Sequence, residues 1–215
     1  KLHSEIVKHE VFKDAYDMMP EKFCNVTNGI ASRRWLMQSN PRLDGFIRAR
    51  IGEQYLHDFS LLSGLRAYMD DEESLRELGE LKRQNKQDFA RYLREQRGIT
   101  VDPESLFYVQ VKRLHEYKRQ LLNVLHILTL YNDIKDHPEK PVYPQTFIFA
   151  AKASAGYYLA KQIISLIVAV SNLVNSDPQV QGKLKVVFIE DYKVSLAEII
   201  IPCLLYTSDA ADEAR

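Results

Sequence analysis

The sequence is poor in cysteine, since Cys24 and Cys203 are the only two in 215 residues. Neither lies in a C-x-x-C pair or at a cysteine–histidine spacing that suits zinc, so the sequence predicts no metal site. Disulfides are rare in the cytosol, and two isolated cysteines favour reduced thiols in a cytoplasmic protein.

An excess of charge of one sign is missing as well. Basic residues number 29 and acidic residues 29, so the formal net charge is +0. No overall field therefore draws the chain toward nucleic acid or a membrane surface. The most apolar run, residues 163–170, is shorter than the ~20 residues that span a bilayer. We predict no nucleic-acid partner and no membrane partner.

The amino terminus, KLHSEIVK, lacks both the apolar segment of a secretory signal and an initiator methionine. We expect it to begin inside a longer chain. A P-loop is missing, and no G-x-G-x-x-G follows an apolar run. The small residues of AKASAG, at 151–156, would let a ligand approach the backbone, but alone they are weak evidence for a binding site.

A basic stretch, VKRLHEYKRQ at residues 111–120, is the most informative feature that is present. It carries four cations in eight residues: Lys112, Arg113, Lys118 and Arg119. An apolar helix pattern at 114–134 predicts that two of them fall in the first helical turns. The helix dipole disfavours cations there unless an anion is bound. This leaves two alternatives, an anion site and a solvated basic turn.

Short apolar runs alternate with long helical patterns through the second half of the chain. Strands are predicted at 106–111, 146–151 and 184–189, and helices at 114–134 and 156–174. This alternation predicts a parallel sheet that is covered on both faces.

Right-handed crossovers place the carboxyl ends of all three predicted strands on one rim. Those ends carry Lys112 and Arg113, then Lys152, then Asp191 with Tyr192. Because three separate segments deliver polar groups to one edge, the anion site becomes the better alternative.

Helices are also predicted at 4–12 and across 46–97, where Asp71 caps one that ends near Gly98. Its apolar stripe is predicted to comprise Leu75, Leu78, Leu81, Phe89 and Leu93. Trp35, the only tryptophan, follows two arginines; it is either a partly buried packing residue or a flat wall for an aromatic ligand. His115 is either structural or a polar contact at the rim.

Five stretches, in order along the chain, closely resemble the glycogen (α-glucan) phosphorylases. They are LHSEI at 2–6, TNGIASRRWL at 27–36, VKRLHEYKRQLLN at 111–123, AKASAGY at 151–157 and DYKVSLAE at 191–198. The resemblance implies two Rossmann-like domains that face each other across a cleft, the GT-B glycosyltransferase fold. Residues 1–26 would end the N-terminal domain, and 27–104 would form a helical connection. Residues 105–202 would form the βαβαβ part of the C-terminal domain.

The resemblance also implies phosphorolysis of α-1,4-glucans by inorganic phosphate, which gives glucose 1-phosphate with pyridoxal phosphate as cofactor. Arg113 and Lys118 would then hold the substrate phosphate, with His115 beside them in the catalytic group. Asn28 would bind a glucose hydroxyl. The family is usually dimeric, which implies a homodimer at full length.

The resemblance places four residues around the cofactor. Lys112 would contact the cofactor phosphate, Trp35 would flank the cofactor, and Tyr192 with Lys193 would lie beside it. The family often has arginine at the position of Lys193, so the charge is kept here but the guanidinium fork is lost.

Residues 203–215 match nothing in the family pattern and are expected to be foreign or disordered. The family's G-T-G-N-M-K segment, whose lysine forms the Schiff base, is missing, so this chain alone is expected to be inactive. Two alternatives remain: a non-catalytic anion- or nucleotide-binding Rossmann module, and a sugar-nucleotide glycosyltransferase.

Overall fold

The computed structural model describes residues 2–25, 31, 33–204 and 206–207. The chain divides into two compact units, Lys1–Ser32 and Arg33–Arg215. The first contains helices α1 (Leu2–Ile6) and α2 (Lys13–Met18), joined by a π-helical turn. The helix predicted at 4–12 thus falls across α1 and that turn. Edge-to-face ring contacts of 5.4 and 5.3 Å link His9, Tyr16 and Phe23, in that order.

The second unit opens with a helical layer. Helix α3 (Pro41–Ile51) is followed by 3-10 turns and then by α4 (Glu72–Arg97). The predicted ends of α4 are confirmed, because the Asp71 carboxylate accepts the Ser74 N–H and Gly98 terminates the helix with φ 65°.

The predicted stripe of α4 is wrong at one position. Leu75 is 51% exposed and Leu78 is half-buried, whereas Leu81, Phe89 and Leu93 are buried. The reason is the length of the helix: only its later turns lie across the sheet, so periodicity in the first turn did not predict burial.

Four parallel strands form one sheet in the order β3-β2-β1-β4. They are β1 (Leu106–Val111), β2 (Gln145–Ala150), β3 (Leu184–Ile189) and the two-residue β4 (Tyr206–Thr207). The three predicted strands are confirmed, although β2 begins and ends one residue earlier than expected. The last residues of β1, β2 and β3 are level in the register, so their carboxyl ends share one rim.

Helices cover both faces of the sheet, as predicted. On one face lie α5 (Gln120–Asp136) and α6 (Tyr158–Ser176), and on the other lie α4 and α7 (Val194–Ile200). The strands are almost continuously apolar because both faces are buried. In the described part of the chain, α6 is the one helix long and apolar enough to cross a membrane, and its buried face packs on the sheet.

Helix α5 begins later than predicted. The expected start near residue 114 is wrong, because a 3-10 turn at Glu116–Lys118 and the left-handed backbone of Arg119 (φ 56°) precede Gln120. Leu114 is buried in the core without being helical, which is why its apolar character imitated a helix position. Helix α6 runs over Tyr158–Ser176 where 156–174 was predicted.

Candidate functional site: the carboxyl rim of the parallel sheet

The connection between β1 and α5, residues 112–119, carries the four cations of the basic stretch. All four lie in this connection, and none falls in the helix that follows it. The Lys112 side chain is half-buried with its ammonium nitrogen shielded from solvent, whereas Arg113 is exposed. Lys118 Nζ donates to the Arg113 carbonyl oxygen at 3.2 Å. The connection therefore folds back on itself and brings the two ends of the basic stretch together.

Backbone and side-chain bonds attach this connection to the end of β2. The Leu114 N–H donates to the Lys152 carbonyl oxygen at 3.1 Å. The Tyr157 hydroxyl, just before α6, donates to the Glu116 carboxylate at 2.5 Å. That hydrogen bond is the main reason that the pKa of Tyr157 is raised.

His115 lies among aromatic rings at this rim. Its imidazole is centred 4.5 Å from the Tyr117 ring and 5.2 Å from the Tyr157 ring. The side chain is exposed, so its outer surface is available to a ligand. The sequence left two interpretations of His115, a structural residue or a polar contact at the rim. The geometry is compatible with both, because the imidazole packs against two rings and also lies at the rim.

The third strand delivers a charged turn to the same rim. Asp191 has a left-handed backbone (φ 56°), and its carboxylate accepts a hydrogen bond from Lys193 Nζ at 2.9 Å. Lys152 Nζ, from the end of β2, lies 3.8 Å from the same carboxylate. Lys193 is the larger cause of the lowered pKa of Asp191. Tyr192 is half-buried against the core, and burial raises its pKa.

Buried side-chain amides underlie the basic connection, and the sequence reasoning missed them. Gln110 and Gln120 are 4% and 2% exposed. Gln110 Nε2 donates to the Lys118 carbonyl at 3.0 Å, and Gln120 Nε2 donates to the Arg113 carbonyl at 3.4 Å. A signal was available, since Gln110 is a polar residue in an otherwise apolar strand.

Trp35 lies on a different element, the π-helical turn Arg33–Gln38, and is half-buried. Its neighbour Arg34 forms an ion pair with Glu198 of α7. This contact was not predicted, because 164 residues separate its partners. It ties the tryptophan-bearing turn to the helix that begins just after Lys193. Asn28, the predicted sugar ligand, lies outside the described residues.

The sheet thus brings most of the predicted site residues to one rim. They are Lys112, Arg113, His115, Lys118, Tyr192 and Lys193. Among the residues that the structure describes, no group of three or more histidine, cysteine or carboxylate side chains is arranged to hold a metal. The rim offers ammonium, guanidinium and phenol groups, which suit an anionic ligand.

Comparison with known proteins decides the family. The family described as carbohydrate phosphorylase matches residues 1–212. The chain is 52% identical to the muscle form of glycogen phosphorylase of Oryctolagus cuniculus and 51% identical to the liver form of Homo sapiens. It is 50% identical to the liver form of Ovis aries. Each similarity covers 202 residues, 94% of this chain and 24% of the relative.

The chain belongs to the carbohydrate phosphorylase family. Membership confirms the resemblance that five short stretches indicated, and the parallel α/β sheet is what a part of a phosphorylase (GT-B) fold requires. A freestanding anion- or nucleotide-binding module is not favoured. The chain spans about a quarter of the length of the phosphorylases it matches.

Proposed function

We propose that these residues form the phosphate-binding rim of an α-1,4-glucan phosphorylase, which cleaves glucan with inorganic phosphate to give glucose 1-phosphate. One observation carries the proposal: in a chain of this family, the connection after β1 folds Lys118 onto the backbone of Arg113. Two cationic residues separated by five positions are thereby held at the carboxyl edge of a parallel sheet, where such folds bind ligands.

Arg113 and Lys118 are proposed to bind the substrate phosphate. Arginine suits a two-pronged contact with phosphate oxygens, and lysine supplies a compact charge. Both side chains reach solvent at least in part, so an incoming anion has access to them. His115 borders this pair and is proposed to contact the reacting groups, and Asn28 is proposed to bind a glucose hydroxyl.

The donor set at the rim also fits pyridoxal phosphate, the cofactor that we propose. Lys112 has an ammonium group that is shielded from water at the end of β1. The low local dielectric there would strengthen its attraction to the phosphate group of the cofactor. Tyr192 and Lys193 would lie beside the cofactor, and Trp35 would flank it. When bound, the cofactor would supply a phosphate group for proton transfer.

Lys193 is the weakest member of this set. Its ammonium group already binds Asp191, and it lacks the fork with which arginine holds a phosphate. We therefore propose that Lys193 contributes charge to the rim and little directional bonding.

The activity is proposed for a protein of the relatives' length, as a homodimer in the cytoplasm. Residues 1–215 alone are proposed to be inactive, because the lysine that carries the cofactor in this family was not found among them. Release of glucose 1-phosphate from glycogen and phosphate by the purified 215-residue protein would contradict that part of the proposal.

A phosphate titration tests the binding roles. Inorganic phosphate is added to the 215-residue protein and to its Arg113→Ala and Lys118→Ala variants, and backbone amide chemical shifts are followed. Loss of a charged hydrogen bond costs ~1.5–3 kcal/mol, so each variant should bind about tenfold more weakly or worse. The control is Lys140→Ala, at an exposed lysine that precedes β2, on the side of the sheet where the strands begin rather than at the carboxyl rim.

Two results would count against the proposal. The first is an unchanged phosphate response in both variants. The second is saturable binding of a nucleoside diphosphate sugar that phosphate does not displace, which would indicate a sugar-nucleotide glycosyltransferase.

A further inference from the structure

Gln110 is a buried carboxamide in a strand whose other residues, LFYV and V, are apolar or aromatic. Burying an amide costs free energy unless its donor and its acceptor are both hydrogen-bonded. Here both are: Asn123 Nδ2 donates to Gln110 Oε1 at 3.0 Å, and Gln110 Nε2 donates to the Lys118 carbonyl at 3.0 Å. One side chain therefore joins β1, the basic connection and the first turn of α5.

A second buried amide supports the other end of the connection. Gln120 Nε2 donates to the Arg113 carbonyl at 3.4 Å, and Gln120 Oε1 accepts the His115 N–H at 3.5 Å. The carbonyls of Arg113 and Lys118 are thus each held by a buried carboxamide. These are the two residues proposed to bind the substrate phosphate.

We propose that Gln110 is a positioning residue for phosphate: it holds the backbone of Lys118 at a set distance from Arg113 before the anion arrives. This inference rests on the proposed function of those two cations. Arg113 is exposed and Lys118 is half-buried, with Lys118 Nζ on the Arg113 carbonyl, so the spacing of the two cations depends on where their backbones lie. A connection held in advance loses less conformational entropy when it binds an anion, which strengthens binding.

A purely structural role predicts something different. If Gln110 only satisfied the Lys118 carbonyl, its loss would lower stability and loosen the connection without weakening phosphate binding. Asn175 is exposed but offers a comparison of hydrogen bonding, because its carboxamide also bonds backbone groups, at the far edge of the sheet on Val186 of β3. Removing each amide separates general destabilisation from a local effect on the connection.

The experiment compares Gln110→Met and Asn175→Ala in the 215-residue protein by amide hydrogen exchange. In Gln110→Met, the amides of Lys118 and Arg119 should exchange at least about tenfold faster, while the amide of Val186 stays protected. In Asn175→Ala the pattern should reverse. Unchanged exchange at Lys118 and Arg119 in Gln110→Met would overturn the inference.

A phosphate titration completes the test. Gln110→Met should bind inorganic phosphate about tenfold more weakly than the wild type, and Asn175→Ala should bind it normally. Equal affinity in Gln110→Met and the wild type would overturn the positioning role while leaving the proposed function intact. Absence of any phosphate response in the wild type would instead overturn the proposed function, and the inference with it.

A second variant guards against failure of Gln110→Met to fold. Asn123 is half-buried and bonds only the acceptor side of Gln110, so Asn123→Ala removes one bond with less damage to the core. It should accelerate exchange at Lys118 and weaken phosphate binding in the same direction, by a smaller factor. Normal exchange and normal affinity in Asn123→Ala would contradict the proposal.

Discussion

Asn175 of α6 forms two hydrogen bonds with the backbone of Val186 in β3. Its Nδ2 donates to the Val186 carbonyl at 2.7 Å, and its Oδ1 accepts the Val186 N–H at 3.0 Å. Ser171 Oγ donates to the same carbonyl at 2.8 Å. Among the described strands, β3 pairs only with β2, so this is the outer edge of the sheet. The amide thus occupies backbone groups that would otherwise pair with another strand.

Asn175→Ala should therefore destabilise the fold. Loss of the two hydrogen bonds to Val186 should lower the free energy of unfolding by ~1–3 kcal/mol, as urea denaturation would measure. Asn172→Ala, at an exposed neighbour on the same helix, should change it little. Equal urea midpoints for the wild type and Asn175→Ala would show that the stability of this sheet edge does not depend on the Asn175 side chain.

Asp177 should make stability depend on pH in the acid range. Hydrogen bonds from Tyr131 and then Lys135 lower the pKa of its carboxyl to about 2. Because the folded pKa lies below the ordinary value, the stabilisation is complete above about pH 4 and is lost as pH falls through about 2. The difference in unfolding free energy between wild type and Asp177→Asn should shrink from pH 6 to pH 3.

The comparison for that experiment is Asp136→Asn, at an exposed carboxylate in α5. Its difference from the wild type should stay small across the same range. A difference for Asp177→Asn that is constant with pH would show that the carboxylate is not selectively stabilised in the folded state.

The two cysteines should differ sharply in reactivity. Cys203 is buried, its Sγ lies 3.0 Å from the Asn85 carbonyl, and burial raises the pKa of its thiol to about 12. Cys24 is exposed. Since the thiolate is the reactive form, iodoacetamide at pH 8 should label only Cys24 in the folded protein. Mass spectrometry should find both labelled in urea, and fast labelling of Cys203 without denaturant would contradict the buried position.

The ion pair between Arg34 and Glu198 should be measurable but weak. The side chains are 48% and 21% exposed, and such pairs typically contribute ~0.2–1 kcal/mol. A double-mutant cycle with Arg34→Ala and Glu198→Gln should give a coupling energy in that range, falling as salt rises. A cycle in which the exposed Arg33 is replaced instead of Arg34 should give no coupling energy. An equal coupling energy for Arg33 would contradict the assignment of the ion pair to Arg34.

Much of the site could be predicted from the sequence, because its strands are continuous apolar runs between turn residues. Strands β1 and β3 have the predicted bounds, since continuous apolar runs between turn residues admit few alternatives. Parallel pairing then requires Lys112, Lys152 and Asp191 to meet at one edge, which the register confirms. Helix α4 followed from its two caps for a similar reason, because capping is a local interaction.

The start of α5 and the hydrogen bonds that support the basic connection could not be predicted from the sequence. Leu114 imitates a helical position, but it is buried between segments that are distant in sequence. Arg119 has a left-handed backbone next to Lys118, whose carbonyl accepts from Gln110, and Gln110 in turn accepts from Asn123. Local preference opposes the left-handed state, which costs about 1–3 kcal/mol at a residue other than glycine, so contacts from other segments must impose it.

The sequence by itself therefore determined the family, the alternation of strands and helices, and the gathering of cations at one rim. These follow from short-range patterns and from the geometry of parallel pairing. Only the tertiary structure decided how those cations are held, through buried amides and the bond from Tyr157 to Glu116. It also decided the pairing of Arg34 with Glu198, which ties the turn that bears Trp35 to α7. The physical reason is that hydrogen bonds and ion pairs depend on positions in space, and partners as far apart as 164 residues leave no trace in a local pattern.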